Sequence, residues 1–462
     1  MTAAVLFATA ASSQPWEGGT VLDRLSGQLE SLGCDVHVVA PDEDGIQAVA
    51  EIARTASGAI LVGYGDIVTH REALAALLRD PRVPSGILAS DDPGAAWAVR
   101  TDRGRVLSVA SPYHAVGAPN HAFLGLLKVA PADRPALVAA AAELAAVAAK
   151  PPPAWPDHDA PALLAVALVR SGVRLSQSFL RELFWARPGN REELDRAASE
   201  LARIDEQQVV LDSAVKATDG FFTTFFVSPY SKYIARWAAR RGLTPNQVTT
   251  ASMVVGVAAA AAFATGERWG LIAGAVLLQL AFTLDCVDGQ LARYTMTFTR
   301  FGAWLDSVFD RAKEYVVYAG LALGASASGD QVWLLAGAAL TLQTVRHALD
   351  FSFAASEQHS MAAAPQRPLE DPSDGVAAAG SAARPVRPVR SEQVLSGWNR
   401  LNRWPGMIWV KRVLVFPIGE RFAVISLTAA LFTPRTTFVV LLAWGTFAAL
   451  YGLAGRLLRS LR

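Results

Sequence analysis

The second half of the chain contains a series of long apolar stretches, and these constrain the fold more than any other feature. Val248–Gly266 and Trp269–Leu284 contain no charged residue, and further apolar stretches occupy 315–329, 331–345, 422–434 and 436–455. A membrane-spanning helix needs about 20 apolar residues. The shorter stretches are continued by segments with a few charges, at 302–314, 346–353 and 410–421. The pattern predicts an α-helical membrane domain with six transmembrane helices.

Composition agrees with a membrane protein. Of the 462 residues, 52% are hydrophobic and 18% are charged, whereas a typical soluble domain is about 25% charged. The formal net charge is only +1, which gives no reason to expect nucleic acid as a partner. Cys34 and Cys286 lie far apart in sequence and form neither a disulfide framework nor a metal-ligand pattern.

Basic residues are distributed unequally between the loops that join the apolar stretches. Residues 267–268, 326–330 and 433–435 contribute only Arg268 and Arg435. The opposite side carries the basic stretch 230–241, several arginines of the 356–400 loop and the basic C-terminal residues. Because cytoplasmic loops are enriched in Lys and Arg, we expect a multi-pass protein of the inner or plasma membrane with both termini in the cytoplasm. The 356–400 loop is rich in Ala, Pro and Ser and is predicted to be flexible.

Residues 1–150 have a different pattern, which is typical of a soluble α/β domain. Strand candidates at 3–8, 35–40 and 59–63 alternate with a helical pattern at 21–32, and this alternation predicts a parallel, doubly wound sheet. Asp66 follows the third strand, at the sheet edge where ligands bind in such folds. The apolar run Ala3–Ala10 is not preceded by a basic residue, so we interpret it as a buried strand rather than as a signal peptide.

Between these two parts the sequence predicts a connector. Pro151, Pro152 and Pro153 mark a break, and residues 151–218 are interpreted as a helical connector. Residues 219–243 combine several Phe residues with a basic amphipathic stretch, which is typical of a helix lying on a membrane surface. The membrane domain would then occupy 244–462.

Four aspartates lie where the second and third predicted spans meet. Asp285 and Asp288 are three positions apart on one helix, and Asp306 and Asp310 are four positions apart on the next, so each pair lies on one helix face. Four carboxylates at membrane depth would repel one another unless cations neutralise them. Two Mg²⁺ or Mn²⁺ ions would do so, clamp a diphosphate and activate a hydroxyl, while Arg293 adds a fixed positive charge for phosphate.

The segment Asp285-Cys-Val-Asp288-Gly289-Gln-Leu-Ala292-Arg293, followed after eight residues by Gly302, Asp306 and Asp310, resembles the signature of the CDP-alcohol phosphatidyltransferase family, and the likeness extends over about 219–460. The resemblance implies transfer of a phospho-alcohol group from a CDP-linked donor, such as CDP-diacylglycerol, to an acceptor hydroxyl with release of CMP. It implies that the four aspartates bind metal and that Asp310 is the general base. The implied CDP-binding residues are Gly289, Ala292, Arg293, Gly302 and Asn246.

The N-terminal domain resembles sugar-phosphate nucleotidyltransferases, which some members of that family carry ahead of the membrane part. Such enzymes bind a triphosphate through a Gly-rich loop with basic residues. The corresponding stretch 8–22 contains Gly18 and Gly19 but neither Arg nor Lys. Asp66 matches the metal-binding aspartate of that fold. Because a triphosphate requires cations, we predict that this domain is catalytically degenerate.

The sequence constrains the identity of the acceptor less than that of the donor. Arg346, Lys411, Arg412 and Arg421 would suit a basic pocket for a phosphorylated acceptor such as an inositol phosphate, or they would snorkel and form ion pairs, with Glu420 holding Arg421 or Arg346. Three functions stay open: a phospholipid synthase, a phosphodiester synthase that uses a soluble CDP-alcohol made by an active N-terminal cytidylyltransferase, and a non-catalytic membrane scaffold. A homodimer is also left open.

Overall fold

The computed structural model describes residues 1–16, 18–41, 43–148, 159–216, 219–359, 368–369, 371–372 and 405–460. The chain divides into two compact units. Unit 1 contains Met1–Val210 and the described residues between 362 and 385, and unit 2 contains the remainder, beginning at Leu211.

Unit 1 is an α/β unit. Its strands are β1 (Thr2–Phe7), β2 (Pro15–Trp16), β3 (Gly19–Thr20), β4 (Cys34–Val39), β5 (Ile60–Tyr64), β6 (Val68–Thr69), β7 (Gly86–Ser90), β8 (Trp97–Asp102), β9 (Arg105–Val109), β10 (His121–Val129), β11 (Ser176–Phe179) and β12 (Trp185–Ala186). Its helices are α1 (Val21–Ser31), α2 (Gly45–Thr55), α3 (Arg71–Arg79), α4 (Arg134–Ala148), α5 (Ala160–Arg170), α6 (Arg191–Arg203) and α7 (Glu206–Ser213), which crosses into unit 2.

An eight-stranded sheet in the order β4-β1-β5-β10-β7-β11-β9-β8 forms the centre of unit 1. The first three strands are parallel, as predicted, but β10 runs antiparallel to both β5 and β7. The predicted parallel pairing therefore holds for β4, β1 and β5, but the complete sheet is mixed, because β10 follows the β8–β9 hairpin rather than a crossover helix.

Helices cover both faces of this sheet. Side chains alternate along a strand, so the apolar residues of one strand pack into a core on each face. In β1, Val5 and Phe7 pack into a core with α2, α4 and α5. Ala4 and Leu6 face the opposite side and pack with α1 and α3. The layered α/β architecture predicted from the first 65 residues is confirmed.

The predicted connector at 151–218 is wrong for its described part. All residues of α5 are buried, and α5 packs against α4, β9 and β10. Next along the chain, β11 pairs with β7 and β9 inside the sheet. Residues 160–210 therefore complete unit 1 rather than link two domains.

A short segment of the predicted flexible loop is docked on unit 1. Leu369 is buried in the core that contains α5. Arg170 Nη1 donates to the carbonyls of Pro368 and Asp371, both at 2.7 Å. His114 Nε2 lies 2.8 Å from the Leu369 carbonyl. We call the described residues 368–369 and 371–372 the anchor; the remainder of the 356–400 loop after His359 lies outside the described residues.

Unit 2 is helical. After a π-helical turn, Thr223–Val227, it contains α8 (Ser228–Arg240), α9 (Pro245–Ala264), α10 (Arg268–Thr295), α11 (Arg300–Ala327), α12 (Trp333–His359), α13 (Pro405–Val415), α14 (Ile418–Leu431) and α15 (Pro434–Ser460). Helix α9 begins with a capping box in which Thr244 Oγ1 accepts from Gln247 N and Gln247 Oε1 accepts from Thr244 N.

Among the described residues, α9, α10 and residues 434–456 of α15 are long and apolar enough to cross a membrane. A fourth candidate is the pair formed by Trp409–Val415 and α14, which is bent by 70°. The bend lies at Phe416 and Pro417, between the end of α13 and the start of α14. Helices α11 and α12 have 28 and 27 residues but do not combine sufficient apolar character with few charges. The six predicted spans therefore stay a prediction.

Three loops that the sequence assigned to one side of the membrane lie together at one end of unit 2. Residues around Gly266, Ser328 and Thr433 line a common cavity of about 250 Å³. Arg268 Nη1 donates to the Phe432 carbonyl at 3.2 Å, and Arg435 forms an ion pair with Asp330. Helix α8 carries exposed aromatic side chains beside Lys232 and Arg236, as expected for an amphipathic helix.

Candidate metal and phosphate site

Helix α9 positions the two helices that carry the aspartates, because both α10 and α11 pack against it. Helices α9 and α11 approach closely at Gly324 of α11, where a Cβ atom would lie 2.1 Å from the Phe263 carbonyl oxygen, and at Gly320, where it would lie 2.3 Å from the Ala260 carbonyl oxygen. Any larger residue there would separate the helices. The two glycines of the signature have other neighbours, since Gly289 faces the Arg293 side chain and Gly302 faces Asn246.

Three of the four predicted metal ligands converge. Asp285, Asp288 and Asp306 each have a carboxylate oxygen within 4.8 Å of the corresponding oxygens of the other two. Asp288 is buried, and the other two are half-buried. Carboxylate oxygens at this separation suit a hard divalent cation such as Mg²⁺ or Mn²⁺. This acidic cluster can therefore hold a divalent metal ion.

Asp310, the fourth predicted ligand, is not part of that cluster. Its Oδ1 lies 3.4 Å from Lys313 Nζ, and this oxygen accepts no hydrogen bond from the described residues. Lys313 also forms an ion pair with Asp285. Asp310 is thus close to the cluster, but its nearest charge partner is a lysine on its own helix.

Helix α9 contributes a polar face to the site that the sequence analysis missed. Thr249 Oγ1 donates to Asp288 Oδ2 at 2.6 Å. Ser252 Oγ accepts from Lys313 Nζ at 2.9 Å and donates to the Ala281 carbonyl at 2.8 Å. Beside Gly256, the Lys313 side chain fills the space that a Cβ atom would take. Thr249, Ser252 and Gly256 at i, i+3 and i+7 in an apolar helix were a readable signal.

The predicted CDP-binding residues lie at the ends of α9, α10 and α11. A Cβ atom at Gly302 would lie 2.7 Å from Asn246 Oδ1 and 2.8 Å from Thr299 Oγ1, the capping residue of α11. Glycine is therefore required there. Arg293 Nε donates to the Ala214 carbonyl, and Ala292 is half-buried near the end of α10.

The four predicted acceptor residues fall into different environments. Arg421 is buried and forms two hydrogen bonds with Glu314, from Nε to Oε1 at 2.9 Å and from Nη2 to Oε2 at 3.1 Å. Glu314 was not predicted. The expectation that Glu420 holds an arginine is not met, since Glu420 Oε1 accepts from the Phe222 backbone N–H at 3.2 Å.

The other three lie outside that buried pair. Arg346 is half-buried, and its Nη2 donates to the Val415 carbonyl at 2.8 Å. Arg412 lies over the Trp409 ring and donates to the Asp219 carbonyl at 2.9 Å. Lys411 is half-buried on α13. Of the four predicted residues, Arg421 is buried and the other three are half-buried.

Unit 1 has its own candidate site, at Asp66. A cavity of about 570 Å³ is lined by Thr9, Glu43, Asp66 and Arg187 among others. Arg187 Nε and Nη2 donate to the two oxygens of Asp66 at 2.7 and 3.0 Å, and Thr9 Oγ1 donates to Oδ2 at 3.1 Å. Both carboxylate oxygens accept hydrogen bonds, so a metal ion at Asp66 would compete with the arginine.

Arg187 itself is held in place. Its guanidinium lies 3.6 Å from the centre of the Tyr64 ring, and burial raises the pKa of Tyr64 to about 12, so this ring stays neutral. The cavity therefore contains one cationic side chain, Arg187, which lies outside the stretch 8–22. Arg187 is already paired with Asp66, the carboxylate that would bind metal in a nucleotidyltransferase.

Comparison with known proteins supports the reading of unit 2. Residues 242–370 match the family model described as CDP-alcohol phosphatidyltransferase, which confirms the resemblance for this region. The bifunctional IPC transferase and DIPP synthase of Aquifex aeolicus is 31% identical over 155 residues, which are 33% of this chain and 33% of the relative. The phosphatidylinositol phosphate synthase of Mycolicibacterium smegmatis is 38% identical over 117 residues, 25% of this chain and 50% of the relative. The matches thus span a third to a half of these relatives.

Two solved structures also match. Phosphatidylinositol phosphate synthase from Mycobacterium tuberculosis with CDP-DAG bound is 22% identical with a TM-score of 0.31, covering 49% of this chain and 91% of that chain. The inositol-1-phosphate CTP transferase from T. maritima is 12% identical with a TM-score of 0.34, covering 44% of this chain and 94% of that chain. Both TM-scores are too low to carry an argument about fold or function.

Proposed function

We propose that this chain, whose residues 242–370 carry a CDP-alcohol phosphatidyltransferase domain, transfers a phospho-alcohol group from a CDP-linked donor to an acceptor hydroxyl and releases CMP. The convergence of Asp285, Asp288 and Asp306 within 4.8 Å carries this proposal. No other described group of His, Cys, Asp or Glu residues is arranged to hold a metal ion.

The proposed division of roles follows the geometry. A divalent ion held by the three aspartates would neutralise the donor diphosphate and polarise the phosphorus under attack. Asp310, which has an oxygen without a hydrogen-bond partner in the described part, would accept the proton of the acceptor hydroxyl. The new O–P bond forms as the P–O bond to CMP breaks. Family resemblance implies two Mg²⁺ or Mn²⁺ ions, and the cluster of three carboxylates accounts for one.

CDP would bind beside the acidic cluster, at Gly289, Ala292, Arg293, Gly302 and Asn246. Arg293 supports this assignment because its guanidinium lies against Gly289, one turn earlier on α10. The charge of Arg293 would face the nucleotide phosphates, and the small residues would leave room for the nucleotide.

We propose CDP-diacylglycerol as donor and a phosphorylated inositol as acceptor. Support comes from the name of the M. smegmatis relative, phosphatidylinositol phosphate synthase. Arg346, Lys411 and Arg412 remain the candidates for the acceptor phosphate, since Arg421 is committed to Glu314. A second function, synthesis of a phosphodiester from a soluble CDP-alcohol made by unit 1, is supported by the name of the A. aeolicus relative and disfavoured by the Asp66–Arg187 pair.

The proposed setting is the inner or plasma membrane, with α9 to α15 forming six spans and the aspartates near the cytoplasmic face. The clustering of the three arginine-poor loops at one end of unit 2 supports this orientation.

CMP release by the purified full-length protein tests the proposal. The donors are CDP-diacylglycerol and CDP-inositol, and the acceptors are inositol phosphate, inositol and glycerol phosphate. We expect Mg²⁺-dependent CMP release with CDP-diacylglycerol and inositol phosphate. Release with CDP-inositol alone would favour the second function, and release with no pair would favour a membrane scaffold.

A further inference from the structure

One charged residue of unit 2 is explained neither by the aspartate signature nor by the proposed reaction. Lys313 is completely buried. It lies on α11 one turn after Asp310, and its ammonium group is surrounded by Asp285, Asp310 and the hydroxyl of Ser252. A buried lysine is costly unless it is paired, so this arrangement requires a reason.

The position of the ammonium group is that of a second cation. Asp285 belongs to the three-aspartate cluster and also contacts Lys313, so it lies between the two positive centres. Asp310 contacts Lys313 and is not part of the cluster. A second ion held by Asp285 and Asp310 would therefore have to displace the Lys313 ammonium group from these two carboxylates.

The surroundings hold the lysine there. Ser252 is fixed by its own hydrogen bond to the Ala281 carbonyl and accepts from Lys313. The absence of a side chain at Gly256 leaves space for the lysine stem, because a Cβ atom there would lie 2.8 Å from Lys313 Cγ. Retracting the ammonium group would leave Asp285 and Asp310 facing each other without a counter-charge.

We propose that Lys313 replaces the second metal ion, so that this chain binds a single divalent cation, at Asp285, Asp288 and Asp306. The charge count agrees. Four aspartates and one lysine leave three negative charges, which one divalent ion and Arg293 neutralise without a second ion. Lys313 also keeps Asp310 oriented and unmetallated, which suits a general base. The inference rests on the proposed metal site. It assigns one bound metal ion to this chain because of the position of Lys313.

Metal stoichiometry tests the inference directly. Purified full-length protein in detergent is titrated with Mn²⁺ and analysed by calorimetry and by electron paramagnetic resonance. We expect one tightly bound Mn²⁺ per chain with an uncoupled spectrum. Two tightly bound ions with a spin-coupled spectrum in the unmodified protein would overturn the inference without any variant.

Two variants make the test sharper. Lys313→Met keeps the length of the side chain and removes its charge, so we expect a second Mn²⁺ to bind and the first to bind roughly tenfold more tightly. Ser252→Ala removes the hydrogen bonds of this hydroxyl to Lys313 and to the Ala281 carbonyl but leaves the charge of Lys313 in place, so this variant should retain a single ion. If Lys313→Met does not purify as a folded protein, the stoichiometry of the unmodified protein and of Ser252→Ala still decides.

This test separates two kinds of failure. A single bound Mn²⁺ without CMP release from any donor would leave the ion number intact and remove the proposed function. CMP release by a protein that binds two Mn²⁺ ions would leave the function intact and remove the role of Lys313.

Discussion

Arg421 of α14 and Glu314 of α11 form a buried ion pair with two hydrogen bonds, at 2.9 and 3.1 Å. Arg421 also donates from Nη1 to the Phe416 carbonyl at 2.9 Å, where α13 ends. Tyr318 donates to Glu314 Oε1 at 2.8 Å. The pair therefore joins α11 to the bend between α13 and α14, and Arg421 has few donors left for a substrate.

The role of Arg421 can be separated from that of Arg346. Arg421→Met should destabilise the protein by about 3–5 kcal/mol, because it leaves Glu314 buried without its partner. Arg346→Met should change stability little and raise KM for inositol phosphate if Arg346 binds the acceptor. Thermal unfolding and acceptor-dependent CMP release measure the two effects. The double variant Arg421→Met, Glu314→Gln should recover much of the stability, and an unchanged melting temperature in Arg421→Met would contradict the structural role.

The three clustered aspartates should lose metal and activity together. Asp285→Asn, Asp288→Asn and Asp306→Asn each remove one ligand, and we expect metal affinity and Mg²⁺-dependent CMP release to fall by about tenfold or more. Thr249→Val, which removes the hydrogen bonds of the hydroxyl to Asp288 and to the Pro245 carbonyl but leaves all three carboxylates in place, is a milder control. Near-normal turnover in Asp288→Asn would exclude this cluster as the metal site.

Asp310 should behave differently. Asp310→Asn keeps the size of the side chain and removes its ability to accept a proton, so the transfer rate should collapse while CDP-diacylglycerol binding largely survives. Single-turnover CMP release and donor binding by calorimetry measure these separately. A parallel loss of metal binding would make Asp310 a ligand rather than the base.

Much of the acidic cluster could be predicted from the sequence, because the spacing of its residues along two helices is a local property. Asp285 and Asp288 share a helix face wherever that helix packs. Lys313 and Glu314 were not predicted as site residues. The sequence does not show which neighbouring helix supplies the partner of a charged residue in a predicted span. Their partners, Ser252 and Arg421, come from α9 and α14.

Unit 1 shows the same limit. The strands β1, β4 and β5 were predictable from short apolar runs, and their parallel pairing followed from the helices between them. β10 and β11 were not, since their pairing with β7 joins residues far apart in sequence. Ala160–Arg170 is buried on all sides, so it has no amphipathic pattern that would indicate which face packs against the sheet.

Unit 1 should not make a CDP-alcohol. Arg187 and Thr9 donate to both oxygens of Asp66, so the metal that a nucleotidyl transfer needs would compete with the Arg187 guanidinium for this carboxylate. Full-length protein incubated with CTP, Mg²⁺ and inositol phosphate or sugar phosphates should release no pyrophosphate. Arg187→Ala frees Asp66 and is the matched comparison. Pyrophosphate release by the unmodified protein would contradict this prediction.

The anchor should hold its loop on unit 1. Leu369→Asp should weaken docking by about 2 kcal/mol or more, because burial of a leucine side chain contributes about 1.5–3 kcal/mol. Hydrogen exchange of residues 111–115 and 160–170 in the full-length protein should then increase. Leu29→Ala, in the other core of unit 1, is a control that destabilises without touching the anchor. Unchanged exchange in Leu369→Asp would show that the anchor is not held.

Docking of the anchor should also depend on pH. Burial is the main cause that lowers the pKa of His114, and nearby Arg170 adds to it, while the Leu369 carbonyl and Asp371 act in the opposite direction. Once released, His114 would titrate near its ordinary pKa of about 6.5. The stabilisation is therefore present above about pH 6.5 and is lost as the pH falls through the lowered pKa. Hydrogen exchange at residues 111–115, corrected for its intrinsic pH dependence, should therefore rise as the pH falls below about 6.5.

The orientation of unit 2 can be tested with single cysteines, because Cys34 is buried and Cys286 is only half-buried within α10, so the second is first replaced by Ser. Leu243→Cys lies after α8 among basic residues, and Gln331→Cys lies in the arginine-poor loops that cluster at the other end; both side chains are exposed. If basic residues set the orientation, a membrane-impermeant maleimide added to intact cells should label position 331 and not position 243. Permeabilised cells, in which both should react, provide the control for accessibility. Labelling of position 243 in intact cells would place Asp285 and its neighbours at the outer face, away from cytoplasmic CDP-linked donors, and would contradict the proposed reaction together with the topology.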